Sequence, residues 1–251
     1  MSAADFYTGI IPDVYTALRG ATFEAGRYLD FVEQTGQPAL ELGCGDDGPF
    51  LELVRMGFDI DGIDSSQDML DRCHARAAAE NLRITTYRQL MQHLKLPRTY
   101  RSIYLAGPTF NLLPDDDAAM QALQGIAGHL QKGGAAMVPL WIPCPTAMED
   151  IGRAREATVV GGATARYTVE SEKYDDARRT RRTHTLYELE TGSTVERVRR
   201  EWIIHWHTPE GFTELAHAAG LEVTYGDLDL DSDEFTAYLT RAESGVSAAA
   251  S

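Results

Sequence analysis

A chain of 251 residues, 43% apolar and 24% charged with ten prolines, has the length and composition of a folded protein of one large or two modest domains, not of a disordered or collagen-like one. Its 23 basic residues stand against 38 acidic ones, a net charge of −15 that opposes non-specific attraction to nucleic acid or an anionic membrane. No run approaches 18 consecutive apolar residues and MSAADFYTGI lacks the regions of a secretory signal, so the expectation is a cytoplasmic protein with neither membrane nor nucleic acid as a partner.

Two helical stretches, about 5–18 and 22–35, open the chain as an expected helical lid over residues 1–36. From 37 to about 145 short apolar runs alternate with longer amphipathic ones, the pattern of βαβ units on a parallel sheet. The strands are expected at Pro38–Leu42, Phe58–Asp64, Ile84–Tyr87, Ser102–Ala106 and Ala135–Ile142. Between them run a glycine-rich turn and a helix through Arg55, a helix capped by Ser65 or Ser66 with Met69 and Leu70 inward, and a helix from Asp115 to Leu130 stopped by Lys132-Gly133-Gly134. The pattern changes after Pro145. Residues 163–206, rich in Thr, Tyr, Val and Arg at near period two with a turn at Glu190-Thr-Gly192-Ser, predict antiparallel strands, so 146–207 reads as a β cap inserted after strand five. Thr208-Pro209-Glu210 opens a last helix, Leu221–Asp227 and Phe235–Thr240 form a closing hairpin within 208–242, and the tail 243–251 is expected to be disordered.

Gly43-Cys-Gly45-Asp-Asp-Gly48 spells G-x-G-x-x-G between a strand and a helix, with Asp64 twenty-one residues beyond Gly43, which by its letters is a dinucleotide fingerprint. Asp46 and Asp47 would set two carboxylates beside a pyrophosphate at the helix N-terminus, and Glu41 adds a third acid, so a cationic, phosphate-free ligand suits the turn better. S-adenosylmethionine has the matching groups: an ammonium, a sulfonium and a ribose diol.

Leu40-Glu-Leu-Gly-Cys-Gly45, then Asp61-Gly-Ile-Asp64-Ser-Ser, then Met69-Leu70, in this order of elements, resembles the class I S-adenosylmethionine-dependent methyltransferases over nearly the whole chain. The resemblance implies a Rossmann-like, seven-stranded, mostly parallel sheet with the antiparallel cap inserted after strand five. It implies Gly43 and Gly45 beside the methionyl group, Asp64 on the ribose with Ser65 and Met69 as further cofactor contacts, and Gly107 near the sulfonium. The family's adenine acid has no equivalent here. Leu90 occupies its slot, leaving Gln89 or a backbone group as acceptor and Met91 as ring packing or ordinary core. Tyr15, and with it Tyr7, stands where related enzymes close an aromatic lid, and Ala106-Gly-Pro-Thr-Phe-Asn111 departs from the Asn-Pro-Pro-Tyr type signature.

For methyl transfer to a hydroxyl a base is needed near neutral pH, and Glu201-Trp-Ile-Ile-His205-Trp-His207 supplies candidates, with His184 on the preceding strand. His205 and His207 would share one face of a strand, opposite Trp202, Ile204 and Trp206. Asn111, Tyr7, Trp141 and Trp206 are the expected acceptor contacts. A lone His-x-His pair is weak evidence for a metal, so none is expected, and Cys44, Cys73 and Cys144, without a CxxC pattern, read as free thiols. Residues 151–200 hold ten Arg and one Lys against eight acids, a local +3 that either holds an anion or pairs with Glu188, Glu190 and Glu196. The expected function is O-methylation of a small polar hydroxyl compound such as a sugar or secondary metabolite. N-methylation of a small amine, or cofactor binding without catalysis, are the alternatives, and the sequence is silent on oligomeric state.

Overall fold

A computed structural model describes residues 6–19, 25–159, 161–226 and 233–242, so the expected tail at 243–251 and the end of the strand expected at Asp227 lie outside the described residues. Helices α1 (Ile11–Arg19) and α2 (Gly26–Thr35) precede β1 (Ala39–Leu42). There follow α3 (Phe50–Arg55), β2 (Ile60–Asp64), α4 (Gln67–Ala79), β3 (Thr85–Arg88), β4 (Tyr100–Leu105), α5 (Asp116–His129) and β5 (Leu130–Trp141). After the cap come α6 (Pro209–Ala218), β10 (Leu221–Tyr225) and β11 (Glu234–Arg241).

The seven core strands lie in the order β10-β11-β5-β4-β1-β2-β3, with β11 antiparallel to both its neighbours and the other pairings parallel. Every residue of β1 is buried because helices cover both faces of the sheet. Leu40 and Leu42 join Ile103, Leu105 and Leu123 of α5 on one side, whereas Ala39 packs with Phe50, Leu53, Leu70 and Cys73 on the other. Ser66 is the N-cap of α4 and accepts from the Met69 amide, Asp115 caps α5 through the Ala118 amide, and Thr208 caps α6.

Two expectations change. Lys132-Gly133-Gly134 does not stop α5, which ends at His129; Leu130 is already extended and pairs with Tyr100. A Cβ on Gly134 would stand 2.6 Å from the Arg101 carbonyl oxygen, so this glycine serves close strand approach. The cap also has a strand the alternation did not reveal: β6 (Ala154–Thr158) is an almost fully exposed edge strand with no apolar face. It pairs with β7 (Thr164–Asp175), which with β8 (Thr180–Thr191) and β9 (Thr194–His205) completes a second, antiparallel sheet in the order β6-β7-β8-β9. The β8–β9 turn is tight, with Gly192 at φ 62°.

The cap's two faces have different tasks. Along β9, Val198 and Trp202 pack with Tyr187 and Ala165 against Phe6, Ile10, Ile11 and Val14 of the lid. By strand alternation Arg200 and Ile204 share that inner face, while Arg199, Glu201, Ile203 and His205 point outward.

Candidate active site

The C-terminal ends of β1, β2 and β4 converge on one edge of the sheet. After β1 the chain turns with Gly43 at φ 77° and Gly45 at φ 60°, conformations that a side chain strains. A Cβ at Gly43 would stand 2.9 Å from Thr109 Cγ2, and one at Gly45 would stand 3.4 Å from Met69 Cε, so both positions form a bare backbone cradle. Asp64, at the end of β2, closes the floor. Its Oδ2 accepts from the Gly45 amide at 3.0 Å and its Oδ1 from the Ser66 amide at 2.8 Å. Burial pushes its carboxyl above the usual range, and the amides of Ser66, Gly45 and Ser65 pull it back. Each oxygen keeps acceptor capacity for a diol. After β4, Gly107 at φ 64° donates its amide to the Tyr28 hydroxyl at 2.8 Å.

The lid is pinned over this edge by α4. Ser66 Oγ donates to the Tyr7 carbonyl at 2.7 Å, the Gly9 amide donates to Asp68 at 3.0 Å, and Arg72 holds Asp13 through two bonds of 2.6 and 3.0 Å. Tyr7 meets Tyr15 edge-on with ring centres 5.2 Å apart, and Phe6 stacks on Trp202 at 4.2 Å. Tyr7 and Tyr15 therefore sit together, next to the cap. Burial, then Tyr15, Tyr187 and Asp64, raises the Tyr7 hydroxyl well above its ordinary value. The sequence marks Ser66 as a possible helix cap but not as the anchor of the lid, and it gives Thr109 no role; the Gly-Pro-Thr run after β4 is the signal that marks Thr109.

Several expected contacts lie elsewhere, each for a local reason. Asp46 and Asp47 turn onto Arg76 at 2.9 Å each, and Asp47 also reaches Arg55 at 3.4 Å, so their charge does not face the edge. Glu41 is buried in β1, where it accepts the Tyr104 hydroxyl at 2.7 Å. Gln89 does not offer its amide to a ring: it accepts from the Lys95 amide and donates to the Lys95 carbonyl, closing the loop after β3. Leu90 leads into a short 3-10 turn beginning at Met91, and Met91 packs partly on the core. Asn111 is fully buried, donating to the carbonyls of Trp141 at 2.8 Å and His205 at 3.2 Å and accepting from the Trp141 amide at 3.1 Å. It is a clamp between β5 and the cap, not an open acceptor contact. Trp206 is 2% exposed and stacked on Tyr174 at 4.9 Å, which removes it as a stacking surface, and Trp141 lies under the Arg181 guanidinium.

The histidines also depart from expectation. His184 is exposed, paired across the sheet with Glu201, four residues along the strand from His205. β9 ends at His205, and His207 lies beyond it, yet the two rings are 4.7 Å apart. Both are buried, at 3% and 1% exposure. His205 Nε2 lies 3.5 Å and His207 Nδ1 3.7 Å from Asp116 at the start of α5, while Phe110 and Phe212 flank His207. Burial, then His205 and Arg179, lowers His207 to about 3, and burial lowers His205 as well. Nitrogen and carboxylate atoms of Asp116, His205 and His207 lie within 4.8 Å of one another, a grouping of metal-ligand type. Arg179 already fills it, however: it ion-pairs with Asp116 and donates to His207 Nδ1 at 3.2 Å, engaging the lone pair a metal would need.

The methyltransferase-domain family profile matches residues 39–134, the span that includes the glycine turn, Asp64 and β4. Among curated proteins, the cypemycin N-terminal methyltransferase of Streptomyces sp. is 25% identical over 202 residues, covering 80% of this chain and 79% of its own length. Among solved structures, an S-adenosylmethionine-dependent methyltransferase from Clostridium acetobutylicum superposes with a TM-score of 0.74 at 14% identity, over 91% of this chain and 96% of its own. The sugar N-methyltransferase of Streptoalloteichus sp. superposes with a TM-score of 0.75 at 18% identity, over 97% of each chain. Residues 39–134 therefore carry a methyltransferase domain, and over most of its length the chain is similar to S-adenosylmethionine-dependent methyltransferases in sequence and in fold, the support for an enzyme that uses S-adenosylmethionine.

Proposed function

We propose that this enzyme methylates an amine nitrogen of a small polar acceptor, an amino sugar or a comparable natural product, in place of the hydroxyl oxygen expected from sequence. The observation that carries this reading is the placement of the imidazoles. His205 lies on the outer face of β9, and both rings of the pair lie beside Asp116, with His207 also on Arg179, whereas Tyr7 and Tyr15 belong to the lid packed on the opposite, inner face of the cap. A hydroxyl acceptor needs a base beside it. An amine that has lost its proton to solvent brings its own lone pair, and positioning alone then carries the displacement. The net charge of −15 favours the approach of a cationic amine. One structural neighbour described above is by name a sugar N-methyltransferase, and one curated relative is by name a methyltransferase of a peptide's N-terminus, the end that carries an amine, which supports the same choice.

In this reading the bound cofactor supplies an electrophilic methyl on sulfur, and the chain's residues do the positioning. Asp64 accepts the ribose hydroxyls, and the backbone at Gly43, Gly45 and Gly107 admits the methionyl part. Leu90 and Met91 flank the adenine, and Tyr7 with Tyr15 excludes water from above. Incubation with matched amino and hydroxy sugars, followed by mass spectrometric location of the methyl group, tests this. Methyl on nitrogen is the expected result, and methyl on oxygen contradicts it.

A further inference from the structure

The cap's inner face carries a guanidinium that the described protein does not neutralise. Neighbouring cap arginines are paired: Arg181 with Glu172 at 2.7 Å, Arg197 with Glu188 at 2.7 Å, Arg199 with Glu170 at 2.9 Å. Arg200 makes no ion pair among the described residues. Its guanidinium donates only to neutral oxygens, the Arg199 carbonyl at 3.0 Å and Thr8 Oγ1 at 3.2 Å, and its Nε is buried with no acceptor. In a chain with 15 more acidic than basic residues, this is a cation that none of the described acids pairs with. Leaving a buried N–H unmet is costly, and a charged group without a counter-ion more so.

Its position gives the guanidinium a use. Arg200 lies on the lid-facing side of β9, one tier from Trp202 and opposite Thr185, and the Thr8 it touches directly follows Tyr7. The side chain thus lies at the seam between cap and lid, next to the tyrosine pair above Asp64. We propose that Arg200 binds an anionic group on the acceptor, a carboxylate or a phosphate, and so orients the acceptor's amine toward the cofactor edge. This rests on the reading of the site given above and narrows its substrate class to amines that also carry a negative charge. A planar fork of N–H donors matches two oxygens of either anion, and its unmet Nε–H is one tine of that fork. The cations on the cap's outer groove are poorer candidates, since Arg182 has Glu201 at 3.5 Å and Arg178 has Asp175 at 3.8 Å.

The test is calorimetry on the full chain saturated with S-adenosylhomocysteine, titrated separately with inorganic pyrophosphate and with succinate. Saturable one-to-one binding of at least one anion is expected, and the anion that binds tells phosphate from carboxylate. Arg200→Gln should weaken it roughly tenfold or more, Arg200→Lys should retain part of it, and Arg178→Gln should leave it unchanged. Absence of saturable binding by both anions, or binding that Arg200→Gln leaves intact, overturns the assignment. Affinity for S-adenosylhomocysteine, measured on the same samples, reports folding of the variants. Its loss in the unmodified chain rejects the cofactor site itself, whereas intact affinity without an anion effect rejects Arg200 alone.

Discussion

Replacing Asp64 separates what the carboxylate does for the fold from what it does for the cofactor. In the unliganded protein it accepts from the Gly45 and Ser66 amides at 3.0 and 2.8 Å, tying the β1 turn to the start of α4. Asp64→Ala leaves both amides without that acceptor. Water can reach this partly open strand end, so the loss should be about 2 kcal/mol, a fall in Tm of roughly 4–8 °C for a chain of this size. Two further charge-assisted bonds to the ribose hydroxyls would be lost only in the complex, about 3 kcal/mol together, or roughly 150-fold in Kd. Asp64→Asn keeps the shape but must turn its NH2 toward one of the two amides, so it should resemble Ala far more than Asp. Calorimetry with S-adenosylhomocysteine at a temperature where circular dichroism shows each variant folded provides the comparison. A Kd within threefold of the unmodified protein in folded Asp64→Ala would refute the ribose assignment. Full affinity in Asp64→Asn would show that shape, not charge, matters there.

Gly43→Ala should abolish measurable cofactor binding, because it strains φ 77° and drives a Cβ to 2.9 Å from Thr109 Cγ2; adding Thr109→Ser, which removes that methyl and keeps the hydroxyl bond to the Ala106 carbonyl, should restore binding only in part, as titration of both variants will show. Asn111→Ala removes three buried bonds between β5 and the cap, so thermal melts should show a loss of about 2–4 kcal/mol, with turnover falling more than cofactor affinity. His207, held neutral to about pH 3 in the folded chain, contributes stability present above its unfolded value and lost as pH falls from about 6.5 toward 3, on the order of a few kcal/mol; Tm measured at pH 7 and 5 should fall less in His207→Gln than in the unmodified protein, and equal falls would contradict the buried placement. Folded His205→Ala and His207→Ala should keep turnover within about tenfold when saturated with an amine acceptor, whereas a loss of roughly 10²-fold or more would restore an imidazole base.

The sheet was legible because its signals are local. Apolar runs such as Ala39–Leu42, the Ser66 cap and the Thr208-Pro209 start each act within a few residues, and the seven-stranded, mostly parallel sheet followed from the alternation and the family resemblance. Gly43, Gly45, Asp64 and Gly107 were legible for the same reason: their conformations or strand-end positions are written in short motifs. Side-chain direction was not. The sequence marks Asn111, Gln89 and Trp206 as polar or flat, but only the packing of distant segments turns Asn111 onto Trp141 and His205, Gln89 onto Lys95, and Trp206 onto Tyr174. Asp46 and Asp47 were misjudged as pocket charges because Arg76, thirty and twenty-nine residues on, lies beside them only once α4 has packed. β6 escaped because an exposed edge strand needs no apolar alternation.

Where the sulfur lies relative to Asp64 and the buried imidazoles decides between an amine and a hydroxyl acceptor, and a crystal structure of the chain with S-adenosylhomocysteine measures this directly. It should show the ribose hydroxyls on the Asp64 carboxylate, and His205 and His207 still on Asp116 and Arg179 with no imidazole nitrogen on the side of the sulfur from which an acceptor approaches. A ribose bound away from Asp64, or an imidazole turned in line with the sulfur, would contradict this arrangement.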